Sequence, residues 1–217
     1  GFDDLPQPDI PVTERPYGIL VTGVGGTGVV TIGALIGMAA HLDGKGVTVL
    51  DMTGLAQKGG SVYSHVRIAD RPEDLHAVRI AAGEADTVIG GDAVVTASVE
   101  ALAKMSASRT RAVVNVAETP TSAFTRNPDW QFPLDRMQAA IRDATGDGAQ
   151  FLNAQTLATT LMGDAIATNL FLLGYAWQQG MVPVSHAALM QAIELNATAV
   201  DMNKRAFLWG RRTAYDA

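Results

Sequence analysis

The chain has 217 residues, of which 47% are apolar and 18% are charged, and its formal net charge is -6. This length and composition predict a globular protein with one sizeable core. The acidic balance argues against general binding to nucleic acid or anionic membranes, so a bound anion would need a local site. The absence of cysteine excludes a thiol nucleophile and a cysteine-ligated zinc ion or iron–sulfur cluster within these residues.

Metal and membrane sites find little support in the sequence. Residues 165–177 form the longest apolar stretch, but they are fewer than the roughly 20 that a membrane helix needs. We therefore expect a cytoplasmic protein, and a start at Gly1 instead of Met suits a piece of a longer polypeptide. We also expect no metal site, because the histidines are scattered without ligand spacing: His41, His65, His76 and His186.

The first sixteen residues hold four of the nine prolines. Proline removes backbone donors and disfavours helix before it, so 1–16 is predicted to be an extended arm or linker, followed by a single domain over 17–217. The domain begins with a short β-branched strand, 17–23. A helix over 26–44 and a second strand over 46–51 follow it.

Strands and helices continue to alternate along the chain. A glycine-bearing loop follows the second strand and leaves no room for a crossover helix, so the next strand is expected to be antiparallel. The pattern predicts a three-layer α/β/α, Rossmann-like domain with a mixed sheet and a helical C-terminal part. The remaining predicted elements are strand 61–69, strand 85–91, helix 93–105 with Asp92 as its N-cap, strand 110–118, an irregular loop 118–132, helix 133–146, strand 149–154 and helices from 154 onward.

The C-terminal helices are unusually apolar. Residues 165–180 are apolar on nearly every side and should be buried. Asparagines buried in an apolar face need hydrogen-bond partners, so they either fix a helix register or subunit contact or bind a ligand. One long helix opened by Ser185 is predicted to present a single face formed by Leu189, Ile193, Asn196, Val200, Asn203 and Phe207.

A glycine turn follows the first strand. Gly23, Gly25 and Gly28 have the G-x-G-x-x-G spacing, which lets a backbone approach an anion closely at a helix N-terminus. Asp51 lies near the spacing at which an acidic residue binds the ribose of NAD. The missing crossover helix argues against NAD, and the glycines would equally permit close packing of helix on strand.

A second candidate is the segment Lys58-Gly59-Gly60. An ammonium beside two glycine amides suits a phosphate or carboxylate, although a solvated loop would look the same. Both loops lie near strand ends and could form a two-sided pocket. No catalytic residue or metal ligand is assigned, and His65 is either an acid–base group or a hydrogen-bonded strand residue. The candidate cofactor-binding residues are Gly23, Gly25, Gly26, Thr27, Gly28, Lys58, Gly59 and Gly60.

Three segments together resemble the gamma-type domain of 2-oxoacid:ferredoxin oxidoreductases, most closely the indolepyruvate branch. The segments are "GVGGTGVVTIGALIGMAA", "GLAQKGGSVYSHVRIA" and "FLLGYAWQQGMVPVSHAALMQAIELNATAVDMNKRAFLWGR". The similarity extends from about Tyr17 to Arg212. The family commonly has arginine where this chain has Lys58, and lysine lacks the planar fork that binds an anion in a bidentate manner.

The resemblance implies an enzyme that oxidatively decarboxylates a 2-oxoacid, transfers the acyl group to coenzyme A and passes electrons to ferredoxin. It implies thiamine diphosphate, magnesium and 4Fe-4S clusters in other domains or subunits, and we expect a homo-oligomer. This domain would contribute to coenzyme A or substrate binding and to assembly. The alternatives are an independent NAD-dependent dehydrogenase and a non-catalytic docking module.

Overall fold

A computed structural model describes residues 2–54, 60–116, 133–163 and 167–217. The predicted loop 118–132 and the candidate residues Lys58 and Gly59 lie outside the described residues. The strands are β1 Tyr17–Val24, β2 Gly46–Thr53, β3 Ser61–Ala69, β4 Thr87–Gly90, β5 Arg111–Asn115 and β6 Ala149–Leu152. The helices are α1 Val29–Leu42, α2 Ala93–Thr96, α3 Val99–Leu102, α4 Leu134–Thr145, α5 Ala154–Met162, α6 Thr168–Gln178, α7 His186–Asn196 and α8 Val200–Tyr215, with a 3-10 turn at Pro72–Asp74.

The strands form one six-stranded mixed sheet in the order β2-β3-β1-β4-β5-β6. β1, β4, β5 and β6 are parallel, whereas β3 runs antiparallel to both β1 and β2. The prediction of a mixed sheet is confirmed. Its cause is the short 54–60 connection, which cannot hold a crossover helix, so β3 turns back beside β2. As a result, β3 separates β2 from the glycine-bearing strand β1.

Apolar side chains cover both faces of the sheet and complete the predicted three layers. On one face, α1 and the C-terminal helices α5 to α8 share a core that includes the fully buried Phe171, Trp177 and Phe207. On the other face, a smaller core around Leu20 and Ile141 joins α2, α3 and α4 to the sheet. None of the described helices combines the length and the apolar character that crossing a membrane requires.

The predicted burial of the apolar C-terminal segment is confirmed in α6. Every residue from Leu170 to Trp177 is buried. The indole N–H of Trp177 donates to the Val184 carbonyl oxygen (2.9 Å), and the Arg211 guanidinium lies over the indole ring at 4.9 Å. Hydrogen bonding of the buried indole removes the cost of burying its polar atom.

The prediction of one continuous helix over 93–105 is wrong. Asp92 caps α2 as expected, since its carboxylate accepts from the Val95 N–H (3.0 Å). The helix ends after one turn because Ser98 starts a second one: its hydroxyl accepts from the Ala101 N–H and lies 2.9 Å from the Tyr63 hydroxyl. A serine that caps a helix in this way competes with helix continuation.

The prediction of a single helix after Ser185 is also wrong. The chain forms α7 and α8, which are separated by Ala197 (φ 58) and Ala199 (φ 44). Both residues lie in the left-handed region, which right-handed helix cannot include and which is uncommon for residues other than glycine. The periodic apolar pattern persists across this break, so periodicity alone did not reveal it.

The two asparagines of that pattern therefore have different positions. Asn203 is buried, and its side-chain amide donates to the Thr198 carbonyl oxygen (3.0 Å) in the break between α7 and α8. This bond satisfies a carbonyl group of the break and assigns Asn203 a structural role. Asn196 is exposed at the end of α7, so its predicted place in a buried face is wrong.

The N-terminal arm is irregular but packed. Residues 2–16 contain neither helix nor strand. The Phe2 ring meets the Trp209 ring edge-on at 4.8 Å, and the Pro6 carbonyl oxygen accepts from the Gln178 side chain (2.8 Å). The hydroxyl of Thr13, which is buried, donates to Asp70 (2.7 Å). The division into an arm over 1–16 and a domain over 17–217 stays a prediction.

Candidate anion-binding site at the carboxyl edge of the sheet

The glycine turn between β1 and α1 has a backbone that only glycine adopts readily. Gly26 has φ 81 and Gly28, the N-cap of α1, has φ 90. Within the described residues no side chain caps this helix, and its first turn carries no acidic residue. The first amides of α1 therefore keep their capacity to bind an anion, and the positive end of the helix dipole favours one.

The glycines of the turn differ in what they allow. A Cβ on Gly23 would overlap the side chain of Val29, so Gly23 permits close packing of α1 on β1. A Cβ on Gly26 would meet no atom within 4 Å. Packing thus accounts for Gly23, but open space in front of Gly26 leaves room for a ligand.

The turn directly contacts the second predicted loop. The Gly25 N–H donates to the Gly60 carbonyl oxygen at 2.7 Å, and Gly60 itself has φ 67. Gly60, the residue before β3, is the one member of the Lys58-Gly59-Gly60 segment within the described residues, and it lies against the turn. The structure brings together six of the eight candidate residues: Gly23, Gly25, Gly26, Thr27, Gly28 and Gly60.

The glycine turn lies where the helices that follow neighbouring parallel strands change from one face of the sheet to the other. β1 and β4 are parallel neighbours, yet α1 and α2, which follow them, cover opposite faces of the sheet. Such a reversal opens a crevice outside the carboxyl ends of the two strands, where ligands of α/β proteins bind. The two strand ends are joined here, since the Gly91 N–H donates to the Thr22 carbonyl oxygen at 2.7 Å.

Asn169, near the start of α6, reaches into this crevice. Its side-chain amide nitrogen donates to the Thr27 carbonyl oxygen. The same nitrogen lies 2.8 Å from the position that a Cβ would take on Gly28, and its amide oxygen lies 3.5 Å from the corresponding position on Gly91. A C-terminal helix therefore forms one wall of the crevice.

Asn115 supports the next part of the same edge. It is buried at the end of β5, donates to the Gly91 carbonyl oxygen (3.2 Å) and accepts from the Ala154 N–H (3.0 Å). It thus links the loop after β4 to the start of α5. Sequence reasoning did not assign Asn115 or Asn169 to the site; the only available signal was a polar residue at a strand end or inside an apolar segment.

Asp51 does not lie where a dinucleotide site requires it. It belongs to the edge strand β2, and its carboxylate accepts from the Ser64 hydroxyl on β3. Two strand spacings, about 10 Å in total, separate β2 from β1. A dinucleotide site has this carboxylate on the strand next to the glycine turn, whereas here β3 lies between them, which weakens the support for NAD.

His65 lies in the interior of β3 and is hydrogen-bonded. It is 4% exposed, and its Nδ1 accepts from the Ile80 N–H at 3.0 Å. Burial, together with the positive charges of nearby Lys104 and Arg79, lowers the pKa of His65 from its ordinary 6.5 to about 4. The imidazole is thus held neutral as an acceptor, which supports the structural interpretation of this residue over an acid–base role.

His65 should make stability depend on pH. Its folded pKa of about 4 lies below the ordinary 6.5, so the unfolded chain binds more protons between these values. The contribution of His65 to the free energy of unfolding is fully present above pH 6.5. The free energy of unfolding should fall by at most about 3 kcal/mol as the pH is lowered toward 4. Urea unfolding at several pH values measures this loss. The His65→Asn variant should lose less over that window, whereas His41→Asn, at an exposed site, should behave like the wild type.

Among the described residues, no group of three or more His, Asp or Glu side chains is placed to hold a metal ion.

Comparisons with known proteins agree with the fold. The family model "Pyruvate ferredoxin/flavodoxin oxidoreductase" matches residues 18–213. The indolepyruvate oxidoreductase subunit IorB of Methanothermobacter thermautotrophicus is 31% identical over 88% of this chain and 94% of its own length. The protein of the same name from Thermococcus kodakarensis is 28% identical over 92% of this chain and 96% of its own length.

Two solved structures share the architecture. The gamma subunit of a keto/oxoacid ferredoxin oxidoreductase from Geobacter sulfurreducens superposes with a TM-score of 0.63 at 21% identity, covering 93% of this chain and 99% of that one. A 2-oxoglutarate:ferredoxin oxidoreductase from Magnetococcus marinus, solved with 2-oxoglutarate, coenzyme A and succinyl-CoA bound, gives a TM-score of 0.67 at 18% identity. That match covers 94% of this chain and 32% of the other. At these identities the likeness establishes the fold.

Proposed function

We propose that this chain, which belongs to the pyruvate ferredoxin/flavodoxin oxidoreductase family, is the gamma-type part of an indolepyruvate-type 2-oxoacid:ferredoxin oxidoreductase. The similarity to two IorB proteins over about nine tenths of the chain supports the indolepyruvate assignment. The complete enzyme would remove carbon dioxide from an arylpyruvate, transfer the acyl group to coenzyme A and reduce ferredoxin.

The redox cofactors of such an enzyme would be held by partner subunits or domains. The 217 residues contain no cysteine, so they do not fit an iron–sulfur cluster. The carbon–carbon bond cleavage would be done on thiamine diphosphate with magnesium, also outside this chain. We therefore assign this chain a binding and assembly role within the complex and no catalytic residue.

The binding role is the anchoring of coenzyme A through its phosphates. One observation carries this proposal: α1 begins at a glycine turn with φ 81 at Gly26 and φ 90 at Gly28, with no capping side chain among the described residues. Backbone amides at such a helix start bind diphosphates. The Gly25 N–H donates to the Gly60 carbonyl oxygen, which supports a contribution from the preceding residues of the chain to the same site. In this proposal the Lys58 ammonium, two residues before Gly60, adds a positive charge to the bound anion.

The test is a calorimetric titration of the chain, alone and assembled with its partner subunits, with coenzyme A, NADH and FAD. We expect saturable binding of coenzyme A only. Gly28→Ala should weaken it at least tenfold, because the new Cβ would sit 2.8 Å from the Asn169 amide nitrogen in a left-handed backbone. Lys58→Ala should weaken binding less.

Gly163→Ala is the matched control. Gly163 is also a left-handed glycine, but a Cβ there would meet no atom within 4 Å, so this variant should bind coenzyme A as the wild type does.

Two other results would redirect the assignment. Saturable NADH binding with turnover would support an independent dehydrogenase. An assembly-competent chain that binds none of the three ligands would support a docking module, whose glycine turn serves packing alone.

A further inference from the structure

Asn169 lies beside two loops at the carboxyl edge of the sheet. Its hydrogen bond joins two segments that are 142 residues apart in the chain, the start of α6 and the glycine turn. Its oxygen simultaneously faces Gly91 at the end of β4. One short amide therefore spans both loops of the crevice, whereas most of the neighbouring α6 side chains are buried in the core.

The bond to Thr27 fixes the orientation of the next amide. In a planar trans peptide the carbonyl group of one residue and the N–H of the following residue point in opposite directions. While the Thr27 carbonyl oxygen is held on Asn169, the Gly28 N–H is directed away from Asn169. The bond also occupies a carbonyl oxygen whose partial negative charge would otherwise be free to turn toward a bound anion.

We infer that Asn169 is a positioning residue for coenzyme A: it fixes the Thr27-Gly28 peptide so that the turn is arranged for phosphate before the ligand binds. This inference rests on the proposed function of the turn. A preformed turn binds more tightly because less ordering occurs on binding. The amide is specifically required, since a carboxylate of the same shape could not donate to Thr27 and would place negative charge beside the phosphates.

The test uses the chain assembled with its partner subunits and compares Asn169→Ala with the nearly isosteric Asn169→Asp. For Asn169→Ala we expect the Kd and KM for coenzyme A to rise about three- to tenfold, with kcat for a saturating 2-oxoacid nearly unchanged. For Asn169→Asp the rise should be about ten- to a hundredfold at low salt and should shrink toward the alanine value as ionic strength increases. A role confined to packing would lower thermal stability and leave this salt dependence absent.

Asn196→Ala and Asn196→Asp are the matched controls, because Asn196 is exposed at the end of α7. Both should retain wild-type affinity and salt dependence. Equal affinity of the Asn169 variants and the wild type for coenzyme A would overturn the inference and leave the proposed function standing.

Amide hydrogen exchange at residues 26–30 separates the two proposals if the wild type binds no coenzyme A. The absence of coenzyme A binding by the wild type would refute the proposed ligand. Faster exchange at 26–30 in Asn169→Ala than in the wild type would still support the positioning of the turn by Asn169, and unchanged exchange would overturn it.

Discussion

Replacing Gly174 with alanine is expected to lower the free energy of unfolding by about 3 kcal/mol or more. A Cβ on Gly174 would fall well within 3.0 Å of the Phe207 carbonyl oxygen. The clash is with backbone, which cannot rotate away, so α6 and α8 must separate. Separation would also loosen the packing of the fully buried Trp177 on α6, whose ring centroid lies 5.8 Å from that of Phe207 on α8.

Gly210→Ala should have a comparable effect, since its Cβ would overlap the Phe171 carbonyl oxygen on the facing helix. Gly37→Ala in α1 is the matched control: its Cβ would lie 2.7 Å from a methyl group of Val49, a side chain at the exposed sheet edge that can move. Alanine also favours helix over glycine by about 1 kcal/mol, so this control should be near neutral. Urea unfolding of the three variants provides the measurement, and wild-type stability of Gly174→Ala would refute the close crossing of α6 and α8.

Replacing Asn115 with alanine is expected to cost about 2 to 4 kcal/mol and to weaken coenzyme A binding as well. The change would leave the Gly91 carbonyl oxygen and the Ala154 N–H without the partner that each has in the buried side chain. The loop after β4, which contains Gly91, would then be free to shift relative to the glycine turn. Thermal unfolding and a coenzyme A titration of the same variant measure the two effects together.

Asn153→Ala is the control for this prediction. Asn153 is exposed and caps α5 by accepting from the Thr156 N–H (2.9 Å), so its removal should cost about 1 kcal/mol and leave ligand affinity unchanged. If Asn115→Ala were no more destabilising than Asn153→Ala, the assignment of Asn115 as the link between β5, the Gly91 loop and α5 would be wrong.

Much of the fold could be predicted because the signals are local. β1 is rich in β-branched residues and leads into the glycine turn, and α4 begins after Pro133 and is followed by Gly146 with φ 56. These residues set backbone preferences within a few positions of themselves. The predictions for 93–105 and for the helix after Ser185 failed for the opposite reason: Ser98 and Ala197 interrupt patterns whose apolar periodicity continues.

The sequence by itself determined the alternation of strands and helices apart from the breaks at Ser98 and Ala197, together with the mixed sheet and the glycine turn, because each depends on residues that are close in the chain. It also carried the resemblance to the oxidoreductase family, which the comparisons confirm. Only the tertiary structure decided that β3 separates Asp51 from the glycine turn. It also decided that Asn169 and Asn115 lie at the same edge of the sheet as the turn. Those contacts depend on how distant segments pack, and a bond across 142 residues leaves no periodic signal in either segment.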